Sequence, residues 1–524
     1  MTKKIVIVGG GSAGWMTAST ICKVFPHFQV TLVESPNIAI SGVGESTIAG
    51  INEWMNLIGV EDKDFMKATD AVYKLSIKFE NFYKKDDGGF HYPFSHPYTE
   101  GTVYGINDWH YKKMHKPETH NSDYADSYYS IMALVNENKF DKNSSGILPN
   151  FEYGEHTAYH FDATKFGLWL RDNICLPSGL EHILGEVKKV HTRPDGAING
   201  LELEDSVIIR GDLYIDCTGF RSVLLDKTMK EPFESYRHML PNNSAWATRV
   251  PYSNKKEQME PYTSSTALRN GWVWNIPLWS RIGTGYVYSS DHVSDEQALD
   301  EFKAHLSNKG VDTKELEFKN IKMRVGLHER LWVKNCVAIG LSAGFIEPLE
   351  SNGLFTVHKF LVELCRTLLR SEEIPGVMAS QFDIDAYNLT CKKLFKEFAL
   401  FVSMHYALTQ RQDTPYWKDC YNRFYDSEML DDKLNITYGA KNFGLDRMIQ
   451  KYLHPSGGFP CIASGMGYNP VDRITEGVEF KKLNKDQLER ICSNLEKNKE
   501  HWKQAVKYIP SMYDYLNNTI YKEK

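Results

Sequence analysis

Gly9, Gly11 and Gly14, followed twenty residues later by Glu34, have the types and the spacing that hold a dinucleotide. Lys4 to Val8 is a β-branched run suited to a buried parallel strand, and a helix-like segment continues to about Phe25. Gly9 permits a tight turn, Gly11 lets a pyrophosphate approach the backbone, and Gly14 lets helix and strand pack closely. The helix start at Ser12 and Ala13 offers free N–H groups and a positive dipole end to phosphate oxygens. Glu34 ends the next strand, Gln29 to Glu34, where its carboxylate can accept hydrogen bonds from ribose hydroxyls. A glycine-rich turn without a ligand is the plain alternative, but strand, helix and acid all stand in place. The spacing alone does not tell FAD from NAD.

Four other groups of residues invite chemistry. Lys78 stands in the alternating run Lys74-Leu75-Ser76-Ile77-Lys78-Phe79, where a surface lysine is ordinary. Glu350 precedes a helix-like stretch from about Ser351 to Leu369 and could be no more than a first-turn acid. Trp272 and Trp274 are two apart, so in a strand they share one face, as core residues do. His110, His115 and His120 recur every five residues. A metal needs tighter spacing or a fixed scaffold, so they read as a solvated loop.

These groups need a scaffold, and the chain is long enough to build one. Its 524 residues suffice for one large α/β enzyme core with an appended helical region. A net charge of −6 gives no reason to expect nucleic acid or an anionic membrane as partner. Aromatic residues reach 13%, enough to line a large apolar pocket. Nine singly scattered cysteines, odd in number and without a CxxC pair, argue for reduced, mostly buried thiols. With no apolar stretch long enough to span a bilayer, a cytoplasmic enzyme is expected. Val187 to Asp216 reads as strands about an Asp195-Gly196 turn, Thr248 to Ser290 as sheet, and Asn335 to Ile339 as a short buried strand. Asp87 to about Asn150 is polar, aromatic and His-rich and reads as excursions that cover a site.

Two motifs give these parts a common meaning. Gly271, Trp272, Trp274, Ile276 and Pro277 match G-W-x-W-x-I-P, and Phe345, Pro348, Ser351 and Gly353 match F-x-x-P-x-x-S-x-G. With them, from about Lys4 to about Gly467, the chain resembles the flavin-dependent halogenases, most closely the tryptophan-halogenase-like branch. Gly42-Val43-Gly44-Glu45-Ser46-Thr47 is similar to that family's flavin strap. Ile215 to Arg221 is similar to its D-C-[ST]-G-F-R segment, and Asn335 to Gly340 to a third FAD segment. The resemblance implies an FAD-binding Rossmann-type, flavin-monooxygenase-like core with a mixed sheet and a C-terminal, mainly helical region. It divides the chain into a catalytic module, 1–370, with substrate-covering insertions at about 87–150, and a helical region, 371–524, that completes the substrate site. FAD contacts are implied at Gly9, Gly11, Ser12, Ala13, Gly14, Glu34, Gly44, Glu45, Ser46, Val187, Leu341 and Leu354.

The same resemblance implies the activity. Reduced, non-covalent FAD, delivered by diffusion from a separate reductase, and O2 together oxidise a bound halide to hypohalous acid. The family's lysine in an I-K-F segment, matching Lys78, holds that species. Its glutamate in P-L-E-S, matching Glu350, takes the proton of the substituted ring. The halide sits on backbone N–H groups at Asn352 and Gly353, where S-T-G becomes Ser351-Asn352-Gly353. Trp272 and Trp274 wall the flavin from the substrate. Phe94, in His91-Tyr92-Pro93-Phe94, belongs to an aromatic entrance. Phe459-Pro460 replaces a Tyr-Tyr pair that clamps free tryptophan, and neither side chain donates a hydrogen bond. An indole, phenol or other electron-rich arene is therefore expected, with bromide or iodide favoured and chloride allowed. A flavin-dependent aromatic hydroxylase and a non-catalytic flavoprotein are the rival readings. A homo-oligomer is compatible with the sequence.

Overall fold

A computed structural model describes residues 2–37, 45–423, 458–467 and 480–523. It divides the chain into two compact units, each assembled from three segments. One unit contains 1–71, 160–243 and 322–396; the other contains 72–159, 244–321 and 397–524. Long-range strand pairing interleaves the segments, and that is why linear composition gives no linker.

The first unit is built on a six-stranded sheet. Its order is Trp332–Val333, Cys336–Ala338, Leu213–Asp216, Lys4–Val8, Gln29–Glu34 and Glu181–Leu184. Lys4–Val8 is central and pairs in parallel with both neighbours. Ile5, Val6 and Ile7 are at most 1% exposed, which explains a continuous apolar run instead of an alternating one. Only the edge pair Trp332–Val333 with Cys336–Ala338 is antiparallel, so the sheet is mixed, as expected. Helices Ser12–Val24 and Gly353–Leu369 pack against each other. Val187–Thr192 and Ile198–Leu203 form the expected antiparallel pair. Gly196, at φ +80°, makes the turn, and Asp195 accepts from the Ala197 N–H at 2.9 Å.

The second unit is built on a seven-stranded sheet: Lys319–Lys322, Ser244–Val250, Ile282–Tyr288, Gly271–Pro277, Tyr262–Ala267, Ser76–Glu80 and Gly89–Pro93. Its register fixes two faces. Phe79 lies opposite Ser265 and Phe90, and Ser265 lies opposite Trp274. Paired residues point the same way, so Ile77, Phe79, Phe90, Tyr92, Trp272 and Trp274 share one face. Lys78, opposite His91 and Ser264, lies on the other, with Glu80, Tyr262 and Val273. On that second face Val273, Tyr286 and Tyr288 pack with Phe302 of helix Asp295–Asn308.

The 87–150 region departs from the expected excursions. After the strand Gly89–Pro93 it folds into short helices at Asp108–His115, Asp123–Tyr128 and Met132–Val135. Trp109, Tyr124, Tyr128 and Tyr129 are at most 1% exposed, so the segment has a core of its own. Helices of four to eight residues are too short to show a 3.6-residue period. His110 is buried in that core, not solvated, and burial lowers its pKa to about 3. His115 reaches Glu489 at 3.1 Å, and His120 meets the Asp87 carbonyl at 2.6 Å. All nine cysteines are buried free thiols. No helix among the described residues is long and apolar enough to cross a membrane.

Candidate active site

The glycine turn shows why each glycine is needed. Gly9 has φ +114°, and a Cβ on it would meet the Cys217 carbonyl oxygen at 2.3 Å. A Cβ on Gly14 would lie 1.8 Å from the Gly9 oxygen, so helix and strand touch there through bare backbone. Gly11 has nothing within 4 Å of that position; its backbone is open to a ligand. Gly10, which the spacing did not single out, is equally constrained: a Cβ there would strike the Glu34 carboxyl at 2.1 Å. Ser12 and Ala13 open a 13-residue helix whose first turn carries no acid and whose N-cap makes no side-chain bond. Its N–H groups are thus available to an anion. Glu34 accepts from or shares a proton with His182 Nε2 at 2.9 Å.

The two further flavin segments join this turn. The buried Asp216 carboxylate accepts from the N–H groups of Thr218, Leu224 and Leu225 and holds the 218–225 loop. Gly219, at φ +66°, also has open space over its backbone. Gly340, at φ +77°, abuts Ala13, and Leu341 after it is 40% exposed. Val187 is half-buried at a strand start. Two open glycine backbones, an uncapped helix and a terminal acid fit an elongated diphosphate ligand such as FAD. Gly44 lies outside the described residues.

Glu350 and the halide candidates lie at a second helix start. Pro348–Glu350 is a single 3-10 turn, and Ser351 at φ +57° redirects the chain into Gly353–Leu369. Glu350 is 1% exposed. Asn352 caps the helix, but its Nδ2 donates back to the Ile346 carbonyl at 3.2 Å. The amide side chain therefore braces the loop, and the backbone N–H groups of Asn352 and Gly353 are the candidates for an anion. Leu354 is buried beside them. The Glu45 carboxylate approaches the same spot, with Oε2 3.6 Å from where a Gly353 Cβ would be. Burial, and then the negative charge of Asp162, raise the Glu45 pKa to about 7. Ser46 next to it pairs with His160 across a short antiparallel bridge.

In the second unit the wall candidates assemble on one face. Trp272 and Trp274 are 1% and 7% exposed with ring centroids 6.3 Å apart. The Trp274 indole lies over Gly285, where a Cβ would meet it at 2.2 Å. Phe94 packs edge-on to Tyr92 at 5.6 Å and Tyr92 edge-on to Phe401 at 6.0 Å, and Phe401 meets Phe459 at a tilt with centroids 5.2 Å apart. Phe459 is in helix Gly458–Gly465, whose two end glycines press on Tyr92 and Phe90.

The two lysines of this run have different surroundings. Lys78 is on the opposite face, 28% exposed, with Nζ 2.7 Å from Glu80 Oε1. Burial would raise Glu80, but the bond and charge of Lys78 hold its carboxyl below the usual range. Burial, then Lys78, also lowers His91 to about 3. Lys74, four residues earlier, is fully buried and sets its ammonium 5.0 Å from the centroid of the Phe94 ring. The strand Val72–Lys74 ends there and a new one begins at Ser76. Leu75 between them still carries the ladder: its N–H donates to the Pro261 carbonyl at 2.7 Å and its carbonyl accepts from the Phe94 N–H at 3.0 Å.

Known proteins place this arrangement. The tryptophan halogenase family profile matches residues 4–477. Tryptophan 6-halogenase SttH of Streptomyces toxytricini is 35% identical over 444 residues, covering 80% of this chain and 81% of its own. Tryptophan 6-halogenase ThaL of Streptomyces albogriseolus is 29% identical over 540 residues, covering 98% of each. The apo structure of VirX1 superposes with a TM-score of 0.90 at 37% identity, over 99% of this chain and 100% of that one.

Proposed function

This chain belongs to the tryptophan halogenase family and is a flavin-dependent halogenase, and on that premise we propose that it halogenates an electron-rich arene other than free tryptophan. The observation that carries the substrate reading is the aromatic cluster. Phe94, Tyr92, Phe401 and Phe459 offer flat apolar surface. Phe459 and Pro460 stand where a Tyr-Tyr pair could bind an amino acid's polar groups, and supply no donor. Such a surface fits an indole or phenol ring. Trp272 and Trp274 back the same face and serve as its rigid wall.

Bound FAD, in its reduced form and with O2, supplies the oxidising equivalent that converts halide to hypohalous acid. We assign the cradle for it to Gly9, Gly11, Ser12, Ala13, Gly14, Glu34, Glu45, Ser46, Val187, Leu341 and Leu354. The N–H groups of Asn352 and Gly353 hold the halide. Asn352 fills more of that loop than a threonine would, which favours a change in halide size selectivity; bromide and iodide are proposed over chloride. A separate reductase delivers the flavin.

Lys78, in the family's I-K-F segment, is the seat we assign for the oxidised halogen. Its ammonium lies 2.7 Å from Glu80 and its side chain is 28% exposed, so it is both positioned and reachable. Lys74, fully buried with its ammonium 5.0 Å from the Phe94 ring centroid, lacks that access. Glu350, buried on its 3-10 turn, takes the ring proton. Incubation with FAD, a flavin reductase, NADH, O2, an indole and phenol panel and each halide, read by mass spectrometry, tests the proposal. Halogenated indole or phenol is expected, most with bromide or iodide. Exclusive halogenation of free tryptophan would refute the substrate reading, and hydroxylated product without halide would refute the chemistry assigned to this site.

A further inference from the structure

Glu347 has no part in the chemistry assigned above, yet it is as deeply buried as Glu350. A carboxyl at that depth is costly unless hydrogen bonds hold it. One such bond is long-range in sequence: Asn242 Nδ2, itself fully buried, donates to Glu347 Oε2 at 2.7 Å. Asn242 is set by its own surroundings. The Met239 and Leu240 N–H groups donate to the Tyr236 carbonyl, and the Asn243 carbonyl accepts from the Met323 N–H at 2.8 Å. This segment follows the strand Phe233–Ser235, which pairs with Gly326–His328, and Gly326–His328 pairs in turn with Gly344–Phe345. The chain leaving Gly344–Phe345 runs directly into Glu347 and the turn Pro348–Glu350. The Asn242–Glu347 bond therefore closes between the continuations of the two outer strands of one three-stranded sheet.

The turn needs such a tie. Ser351, at φ +57°, holds a left-handed conformation that a non-glycine residue keeps only when its neighbours impose it. Inside the loop, the Ser351 N–H donates to the Pro348 carbonyl at 3.0 Å, and Asn352 Nδ2 donates to the Ile346 carbonyl. Those bonds shape the turn but do not fix its direction against the sheet, whereas the bond from Asn242 does. Pro348 has a locked φ, and in a 3-10 turn residues three apart share an edge. The orientation of Glu347 is thereby passed on to Glu350. We infer that Glu347 is a positioning residue for removal of the ring proton: held by Asn242, it fixes where the Glu350 carboxylate points. The inference rests on the role proposed above for Glu350. A misplacement of about 1 Å at a reacting group costs about a hundredfold in rate.

Paired substitutions in the full chain, assayed with FAD, a flavin reductase, NADH, O2, bromide and an indole, test this. Asn242→Asp sets two carboxyls against each other and should lower kcat about a hundredfold. Glu347→Gln keeps an acceptor for Asn242 and should cost no more than about threefold. Added to Asn242→Asp, Glu347→Gln supplies the missing donor, and the double variant should recover to within about fivefold of wild type. Where Asn242→Asp does not fold, Asn242→Ala removes the donor without adding charge and should lower kcat about tenfold. The KM for the indole and the hypobromite captured by a chromogenic β-diketone should stay as in wild type throughout, because neither depends on Glu350. General damage to the fold would lower both. An Asn242→Asp variant with the kcat of wild type, a double variant no better than Asn242→Asp alone, or hypobromite release that falls in step with kcat would each overturn the inference. A wild type that yields no halogenated product would instead refute the reaction on which the inference rests.

Discussion

The two faces of the seven-stranded sheet are equally buried in large part and yet chemically opposite. One is a sheet of aromatic rings, Phe90, Tyr92, Trp272 and Trp274, continued by Phe94 and Phe459. The other holds Lys78, Glu80, His91 and Tyr262, joined by an ion pair and an edge-on ring contact. Lys78 and Glu80 are 28% and 24% exposed, so that pair is held in place and still reachable. Lys74, by contrast, is fully buried with its ammonium near the Phe94 ring. The difference teaches that two lysines of the same parity in one run can meet opposite surroundings.

The sharpest way to break this comparison is to remove each lysine in turn. Lys78→Ala should lower halogenation by about a thousandfold, the order lost when a group acting on the reacting atoms is deleted. FAD binding and flavin reoxidation should persist. Lys74→Ala should keep activity within about fivefold and lose mainly stability, because a buried ammonium–ring contact is removed. Product analysis with both variants checks this, and the reverse order would move the halogen-bearing role to Lys74. Next in size, Glu350→Gln should lower turnover by about 10² to 10⁴, as for loss of a general base, with halide binding intact.

Smaller effects sharpen the picture in the flavin unit. Glu45 beside Gly353 is neutral below its raised pKa of about 7 and ionised above it. The carboxylate then repels halide at the same helix start. Halide dissociation constants should therefore rise above pH 7, by up to about tenfold per pH unit, and Glu45→Gln should flatten the profile. Titration of halide against flavin fluorescence at pH 6 to about 9 reads this. The smallest effect belongs to Phe459→Ala. It should raise the KM for an indole by about tenfold through lost ring contact, with little change in kcat.

Much of this was legible in the sequence because it is local. The glycine spacing, the acid at Glu34 and the β-branched strand act over a few tens of residues, and Gly14's reason is a backbone contact within that turn. Gly9 and Gly10 are the exceptions, since their constraints are the Cys217 carbonyl and the Glu34 side chain. The region 87–150 was not legible, because its helices are shorter than the period that would reveal them.

By itself the sequence determined the dinucleotide turn, the mixed α/β core, the family and its reaction class. Those follow from contiguous motifs whose geometry is set by dihedral freedom and hydrogen bonding along the chain. Tertiary structure alone decided which partners each lysine meets. Those follow from strand register, set here by pairing with a strand about two hundred residues away, and pairing partners are not written in alternation. It also decided that the Asn352 side chain braces its loop, because its acceptor, the Ile346 carbonyl, is placed only once the 3-10 turn has formed.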